Sequence, residues 1–141
     1  TVAIIFFAFV MQEAMTDIGI ADYIITLVQP HVNAVIFPLV TFLVVAILNF
    51  STGSVWGIPA IVAPILLPLA ESIGTNLLLV MVAIVSGATL GSHACFYSDA
   101  TVLTSSCCKI ENMDHALSQI PYALCASGIS ALGHLVCGAL L

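Results

Sequence analysis

Long apolar segments separated by short polar clusters run through the whole sequence. A membrane-spanning helix needs about 20 apolar residues, and irregular polar backbone at membrane depth is tolerated only where it lines a cavity or is buried in protein. The chain has apolar or amphipathic segments at 2–11, 22–29, 33–49, 55–70, 77–90 and 115–141. This pattern predicts an all-α, polytopic transmembrane fold.

The first polar cluster divides the segment 33–70 into two arms. It reads Asn-Phe-Ser-Thr-Gly-Ser at 49–54, a mixture of small and amide residues that breaks helices. Each arm has about 16 residues and would be about 24 Å long, which is less than the roughly 30 Å of a bilayer core. We therefore expect a re-entrant helical hairpin over 33–70. Two ordinary short helices joined by a surface loop are the alternative.

The second polar cluster, at 87–106, is the densest mixture of glycines, hydroxyls and titratable groups in the chain. It follows the apolar segment 77–90 and precedes renewed helical character, so it predicts one interrupted helix over 75–108. We expect residues 1–141 to form a single transmembrane domain fragment. Its other parts are a helix end with an interfacial helix at 1–30 and a final helix at 115–141. Because paired interrupted segments are typical of transporters built from inverted repeats, we expect one half of such a repeat.

The composition excludes a soluble protein. Of the 141 residues, 62% are hydrophobic and 6% are charged, and the mean hydropathy is +1.25, whereas soluble domains carry about 25% charged residues. Lys109 is the only Lys or Arg, so the chain cannot neutralise a phosphate backbone and nucleic acid is excluded as a partner. The positive-inside rule places Lys109 in the cytoplasm. Because Thr1 lies in an apolar run without an initiator Met, we expect a fragment of a longer protein.

The two polar clusters carry candidate ligands for Na⁺. Broken membrane helices free backbone carbonyls, and the C-terminal ends of half-helices favour cations. Hydroxyl, amide and carboxylate oxygens are hard ligands of the kind that such cations take. The expected ion-binding residues are Asn49, Ser51, Thr52, Ser54, Ser98, Asp99 and Thr101. No cofactor and no metal ion besides Na⁺ is expected, since the Cys and His residues lack the spacing of a metal site.

Asp99 is the residue expected to exchange Na⁺ for H⁺. Burial favours the protonated carboxyl group and a bound cation favours the carboxylate, so the two ions compete for one side chain. The alternative is that Asp99 caps the helix that begins near Ala100. His93 is an expected proton relay or, equally, a hydrogen-bonded packing residue. Trp56 and Tyr97 are expected to line the cavity, with simple packing as the alternative for Trp56.

Three motifs resemble those of NhaC-type sodium/proton antiporters. The run 54–61 (Ser-Val-Trp-Gly-Ile-Pro-Ala-Ile) is similar to the family's T-S-W-G-T, which is followed by P-I-A. The stretch 91–106 is similar to the family's G-D-H-C-S-P-I-S-D-T-T-I-L-S-S, and the stretch 115–124 is similar to H-x-x-T-Q-x-P-Y-A. The motifs occur in the family's order between residues 49 and 125. The resemblance implies the C-terminal half of a sodium/proton antiporter.

Two departures from the family pattern bear on the substrate. The family's acid after the first Gly of the second motif is Ser92 here, and its Cys-Ser-Pro after the His is Ala-Cys-Phe at 94–96. The loss of this acid removes one group that could carry a proton, so it affects the proton stoichiometry or the proton coupling that the resemblance implies. Family relatives that exchange organic acids such as malate and lactate against sodium supply the alternative function. An ion channel and a membrane subunit without transport are further alternatives, and enzymatic activity is not expected.

The expected surroundings follow from this interpretation. The partners would be the lipid bilayer, Na⁺, H⁺ and the N-terminal half of the same carrier, and a homodimer is left open. The expected location is the plasma (inner) membrane of a bacterium or an archaeon.

Overall fold

The computed structural model describes residues 33–140 together with Val10 and Asp17. The regular structure of this part of the chain is all helical, which confirms the all-α part of the predicted fold class. The helices of residues 33–140 are α1 (Phe37–Thr52), α2 (Gly57–Ile73), α3 (Leu77–Ala94), α4 (Asp99–Cys108) and α5 (Asn112–Leu140). The predicted helix end and interfacial helix at 1–30 lie outside the described residues, apart from Val10 and Asp17, which are helical.

The helices α1 and α2 fold back on each other. α1 ends where Gly53 adopts a left-handed conformation with φ of 70° and donates its N–H to the carbonyl of Asn49. At the far end of the pair, the Thr75 hydroxyl donates to the carbonyl of Ala34 at 3.3 Å. The chain thus returns to the level at which α1 begins, so α1 and α2 form an antiparallel hairpin.

The helices α1 and α3 run parallel and contact each other through two glycines. Gly87 and Gly91 form a Gly-x-x-x-Gly motif, in which small residues let two helix backbones approach closely. A Cβ atom at Gly87 would lie 2.6 Å from the carbonyl oxygen of Phe42, and one at Gly91 would lie 2.7 Å from the backbone nitrogen of Phe50. Because the contacts advance in the same direction along both helices, the C-terminal ends of α1 and α3 lie side by side.

The polar stretch 87–106 is unwound over a much shorter range than its composition suggests. α3 continues through Ala94 and α4 begins at Asp99, so the break is confined to residues 95–98. The expectation that helical structure ends near Leu90 is therefore wrong. The physical reason is that Gly87 and Gly91 serve close packing against α1 instead of forming a turn.

One apolar cluster joins the hairpin to α3. Its buried members come from α1, α2 and α3, and they are Phe37, Val45, Leu69, Ala70, Val80, Ile84 and Ala88. Because lipid tails are as apolar as these side chains, van der Waals packing holds such a cluster together within a bilayer. The cluster fixes the hairpin against α3, and this fixes the positions of both helix breaks.

The helix α5 lies antiparallel to α3. The Ser86 hydroxyl pairs with the His134 ring at 3.0 Å, and the His93 ring pairs with the Gln119 amide at 2.9 Å. The order of the contacting residues rises along α3 and falls along α5. By length and composition, α3 and α5 are the two described helices that could cross a membrane, whereas α1 and α2 are shorter apolar helices.

Candidate ion site at the two helix breaks

The two helix breaks contact each other. A Cβ atom at Gly53 in the first break would lie 3.2 Å from the Cα of Ser98 and 3.3 Å from the sulfur of Cys95 in the second break. Across the same contact, the Tyr97 hydroxyl donates to the carbonyl of Ser51 at 2.6 Å. The tertiary structure thus brings the two groups of predicted oxygen ligands to one place.

Ser98 and Thr101 form a buried hydrogen-bonded cap at the start of α4. The Ser98 hydroxyl accepts from the Thr101 N–H at 3.1 Å and donates to the Thr101 hydroxyl at 2.9 Å. The Thr101 hydroxyl in turn donates to the carbonyl of Cys95 at 2.9 Å. Both hydroxyl protons are used in this cap, so only the lone pairs that remain on the two oxygens could face a cation.

Asp99 is the first residue of α4, and it is exposed. Its Oδ1 atom accepts from the N–H of Ala100 at 2.8 Å. The N-terminal end of a helix favours a negative charge at this position. The side-chain cap of the helix comes from Ser98, so the capping role considered for Asp99 falls to its neighbour.

The hydroxyls of the first break satisfy nearby backbone groups. Ser51 and Thr52 donate to carbonyls one turn earlier in α1, at 3.0 Å and 3.1 Å, as serine and threonine commonly do within membrane helices. Ser54 accepts from the N–H of Gly57 at 3.2 Å and so supports the start of α2. Of these three residues, Ser51 contacts the second break through its carbonyl, and the role of all three as ion ligands stays a prediction.

Asn49 and Ser92 are two further buried polar residues near the two breaks, and they lie in the last turns of α1 and α3. The Asn49 side-chain N–H donates to the carbonyl of Ala88 in α3. Among the described residues, neither Asn49 Oδ1 nor Ser92 Oγ has a hydrogen-bond partner. The sequence interpretation included Asn49 but missed Ser92. The spacing of the buried positions of α3, which runs through Gly87, Ala88, Gly91 and Ser92, is the signal that could have found it.

Asn112 ties the second break to α5, and the sequence interpretation gave it no role in the site. Its side-chain N–H donates to the carbonyl of Phe96, which lies within the break. Its Oδ1 atom accepts from the Ser105 hydroxyl of α4 at 3.0 Å. An exposed carbonyl in a break would be costly at membrane depth, so Asn112 stabilises the unwound backbone.

A cavity of about 490 Å³ lies between α3 and α5. Its polar lining consists of Ser86, Thr89, His93, Gln119, Tyr122, Ser127 and Ser130. His93 lines this cavity and is hydrogen-bonded to Gln119 at 2.9 Å, which accords with either of the two roles proposed for it. Trp56 and Tyr97 are 72% and 61% exposed and are not among the residues that line this cavity.

Helix ends of both signs meet in the break region: the C-terminal ends of α1 and α3 favour cations, whereas the N-terminal ends of α2 and α4 favour anions. The last turns of α1 and α3 lie side by side, and each helix C-terminal end carries a partial negative charge. The last turn of α1 contains no basic residue, and that of α3 contains only His93. Lys109 lies at the distant end of α4. Within the described residues, no group of three His, Cys, Asp or Glu side chains is arranged to hold a metal ion.

The chain is similar to known antiporter sequences. It matches the Na⁺/H⁺ antiporter family over residues 1–139. It is 33% identical over 138 residues to an uncharacterized protein of Haemophilus influenzae, and the match covers 97% of this chain and 27% of that protein. It is 30% identical over 120 residues to the malate-2H(+)/Na(+)-lactate antiporter of Bacillus subtilis, covering 85% of this chain and 26% of that protein.

The chain spans about a quarter of the length of these relatives. The relatives are longer than this chain, which is consistent with the expectation that it is a part of a longer protein. No solved structure matches the chain.

Proposed function

Because the chain belongs to the Na⁺/H⁺ antiporter family, we propose that it forms part of a secondary active transporter that exchanges Na⁺ for H⁺. The family and the apolar helices indicate an integral membrane protein. The protein acts as a transporter and not as an enzyme. The plasma membrane of a bacterium or an archaeon is the membrane we propose for it.

The contact between the two helix breaks is the observation that supports this function best. The first break meets the second through Gly53 and Ser98, and the Tyr97 hydroxyl joins them by its bond to the Ser51 carbonyl. Discontinuous helices that meet provide backbone carbonyls and partial charges for coupling ions at membrane depth. We place the Na⁺ pathway at this contact.

Asp99 supplies the charge that couples the two ions in this proposal. It is exposed at the start of α4, directly after the buried Ser98. A cation next to a carboxylate favours its charged form. Binding of Na⁺ therefore opposes binding of H⁺ at Asp99, and this competition is the basis of exchange that we propose. His93 relays protons between this region and the cavity that it lines.

The architecture we propose is one half of an inverted repeat. The hairpin of α1 and α2 enters and leaves the membrane on one side, and α3 and α4 form the two parts of one interrupted crossing. Other segments of the full-length carrier, including its N-terminal half, complete the pathway. The complete carrier functions in the bilayer as a monomer or as a homodimer.

Exchange of an organic acid against Na⁺ is the second candidate function. The cavity of about 490 Å³ between α3 and α5 favours it, since hydroxyls of Tyr122 and Ser130 and the amide of Gln119 line the cavity. Such groups can donate to a carboxylate. The similarity to the malate-2H(+)/Na(+)-lactate antiporter of Bacillus subtilis is consistent with a substrate of this class.

Transport by the full-length carrier in proteoliposomes distinguishes the two candidates. We expect an inward Na⁺ gradient to drive H⁺ out of the vesicles, which a pH-sensitive dye in the lumen reports as a rise in pH. Radiolabelled malate and lactate, tested in the same vesicles, should neither be taken up nor alter the pH change. Uptake of either acid that depends on Na⁺ would favour the second candidate, and the absence of any Na⁺-driven flux would contradict both.

A further inference from the structure

Two buried oxygens without partners lie near the C-terminal ends of α1 and α3. Asn49 and Ser92 are both 0% exposed. In the described part of the chain, Asn49 Oδ1 and Ser92 Oγ have no hydrogen-bond partner. Burial of an unpartnered polar atom costs free energy, so two such atoms in neighbouring turns indicate a ligand that satisfies both.

The packing around Gly91 places Asn49 against the turn of α3 that contains Ser92. A Cβ atom at Gly91, the residue before Ser92, would lie 2.7 Å from the Cβ of Asn49. The amide N–H of Asn49 donates to the carbonyl of Ala88, one turn before Ser92 on the same buried face of α3. Asn49 therefore spans the turn of α3 that ends at Ser92.

The chemistry of these atoms suits a monovalent cation. Oδ1 of Asn49 is an acceptor only, and the Ser92 hydroxyl oxygen carries two lone pairs. The parallel C-terminal ends of α1 and α3 add partial negative charge at the same place. Divalent cations are usually held by carboxylates, and neither of these two ligands has one. Neutral oxygens with helix C-terminal ends match a singly charged alkali ion instead.

We infer that Asn49 Oδ1 and Ser92 Oγ bind the transported Na⁺ within the last turns of α1 and α3, one turn before the breaks. This inference rests on the proposed function, because it assigns a dehydrated binding site to the cation that the exchange moves. Asp99 then acts at the breaks, and Asn49 and Ser92 act on the buried side of them. The proposed site can be tested by measuring how strongly Na⁺ stabilises the folded protein.

The test measures Na⁺ binding to the purified full-length carrier by thermal stability in detergent, with choline replacing Na⁺ at constant ionic strength. Ser92→Cys keeps nearly the same volume but replaces a hard oxygen by a soft sulfur. We expect it to raise the Na⁺ concentration for half-maximal stabilisation about tenfold, as for loss of one interaction with a charged partner. Ser118→Ala, which removes an exposed hydroxyl of α5 that bonds only to its own helix, should keep the wild-type value.

A second variant tests the same site by a gain of charge. Asn49→Asp retains an acceptor oxygen and adds a negative charge, so the variant should be less stable than wild type in choline and more strongly stabilised by Na⁺. An unchanged Na⁺ midpoint in Ser92→Cys, or a Na⁺ response in Asn49→Asp no larger than that of wild type, would overturn the inference.

The outcomes separate this inference from the proposed function. If wild-type vesicles exchange Na⁺ for H⁺ and Ser92→Cys keeps the wild-type Na⁺ midpoint, the inference fails and the proposed function stands. If wild-type vesicles show no Na⁺-driven flux, the proposed function fails and thermal stability still decides the site. Na⁺ stabilisation that weakens in Ser92→Cys would support it, and wild-type protein without any Na⁺ stabilisation would contradict it.

Discussion

At the scale of single residues, the polar side chains near the breaks differ in whether hydrogen bonds within the protein already occupy them. Ser98 and Thr101 use their protons to cap α4 and to satisfy the carbonyl of Cys95. The carboxylate of Asp99 lies at the surface beside this cap. In the mechanism that we propose, structural and ionic roles are divided between adjacent residues, and this division can be tested by changing Asp99 alone.

We expect Asp99→Asn to abolish Na⁺-driven H⁺ exchange in the full-length carrier, because the amide cannot hold a proton and release it to a cation. Asp99→Glu should retain partial exchange with a shifted pH dependence, since the charge survives in a displaced position. The pH change in vesicles measures exchange. Because an exposed acid in a first turn contributes only about 0.3–1 kcal/mol, thermal stability in detergent should change little.

Glu111→Gln is the matched control, since Glu111 is an exposed acid just before α5 and outside the breaks. It should exchange like wild type. Wild-type exchange by Asp99→Asn would refute the carboxylate mechanism. Loss of folding in Asp99→Asn would show that the residue acts through structure and not through its charge.

At the scale of helices, the pairing of α1 with α3 positions both breaks. Gly87 and Gly91 allow the two backbones to approach until the last turns of both helices lie side by side. Asn49 then bonds to α3, and Gly53 meets Cys95 and Ser98. The ion site we propose therefore depends on a helix contact that contains no charged group.

We expect Gly91→Ala to lower the stability of the carrier by about 1–3 kcal/mol, which is the usual cost of overpacking a close contact. The added methyl group would lie 2.7 Å from the Cβ of Asn49 and from the backbone nitrogen of Phe50, so α1 must move away. Thermal unfolding in detergent measures the loss. The shift should also weaken Na⁺ stabilisation, since Asn49 moves with α1.

Gly128→Ala is the control for this prediction. A Cβ atom at Gly128 would meet no atom within 4 Å among the described residues. Alanine is favoured over glycine within a helix by up to about 1 kcal/mol, so Gly128→Ala should be neutral or stabilising. Equal destabilisation by both variants would show that glycine flexibility, and not the α1–α3 contact, is what matters.

At the scale of the whole molecule, the hairpin sets the topology. The bond between Thr75 and Ala34 shows that α2 returns to the level at which α1 begins. If this hairpin is re-entrant, residues near the end of α2 lie on the side of the membrane from which the hairpin entered. The interrupted helix then carries the chain to Lys109 on the opposite side, which the positive-inside rule assigns to the cytoplasm.

Cysteine accessibility in a full-length carrier without native cysteines tests this arrangement. Ile110→Cys should react with a membrane-impermeant thiol reagent from the cytoplasmic side, and Ile73→Cys should react from the external side. Opposite labelling is expected because one crossing separates the two positions. Equal cytoplasmic access at positions 73 and 110 would exclude the re-entrant hairpin.

The sequence by itself determined the helical class of the chain and the approximate places of its two helix breaks. Long apolar segments with so few charges favour helices, because a backbone at membrane depth must satisfy its own hydrogen bonds. The cluster 49–54 predicted the end of α1, and the helix start expected near Ala100 lies next to Asp99, where α4 begins. Local chemistry was sufficient here, since breaker residues and hydroxyl caps act over a few positions.

Only the tertiary structure decided which polar groups come together and which are already satisfied. Gly87 and Gly91 lie within the polar stretch expected to interrupt the helix, although they are helical and pack against α1. Ser92 gained its importance from the absence of a partner in the described residues, and His93 gained Gln119 as a partner from α5. Sequence patterns give the period of a buried face, whereas the identity of the group across that face depends on how the helices pack.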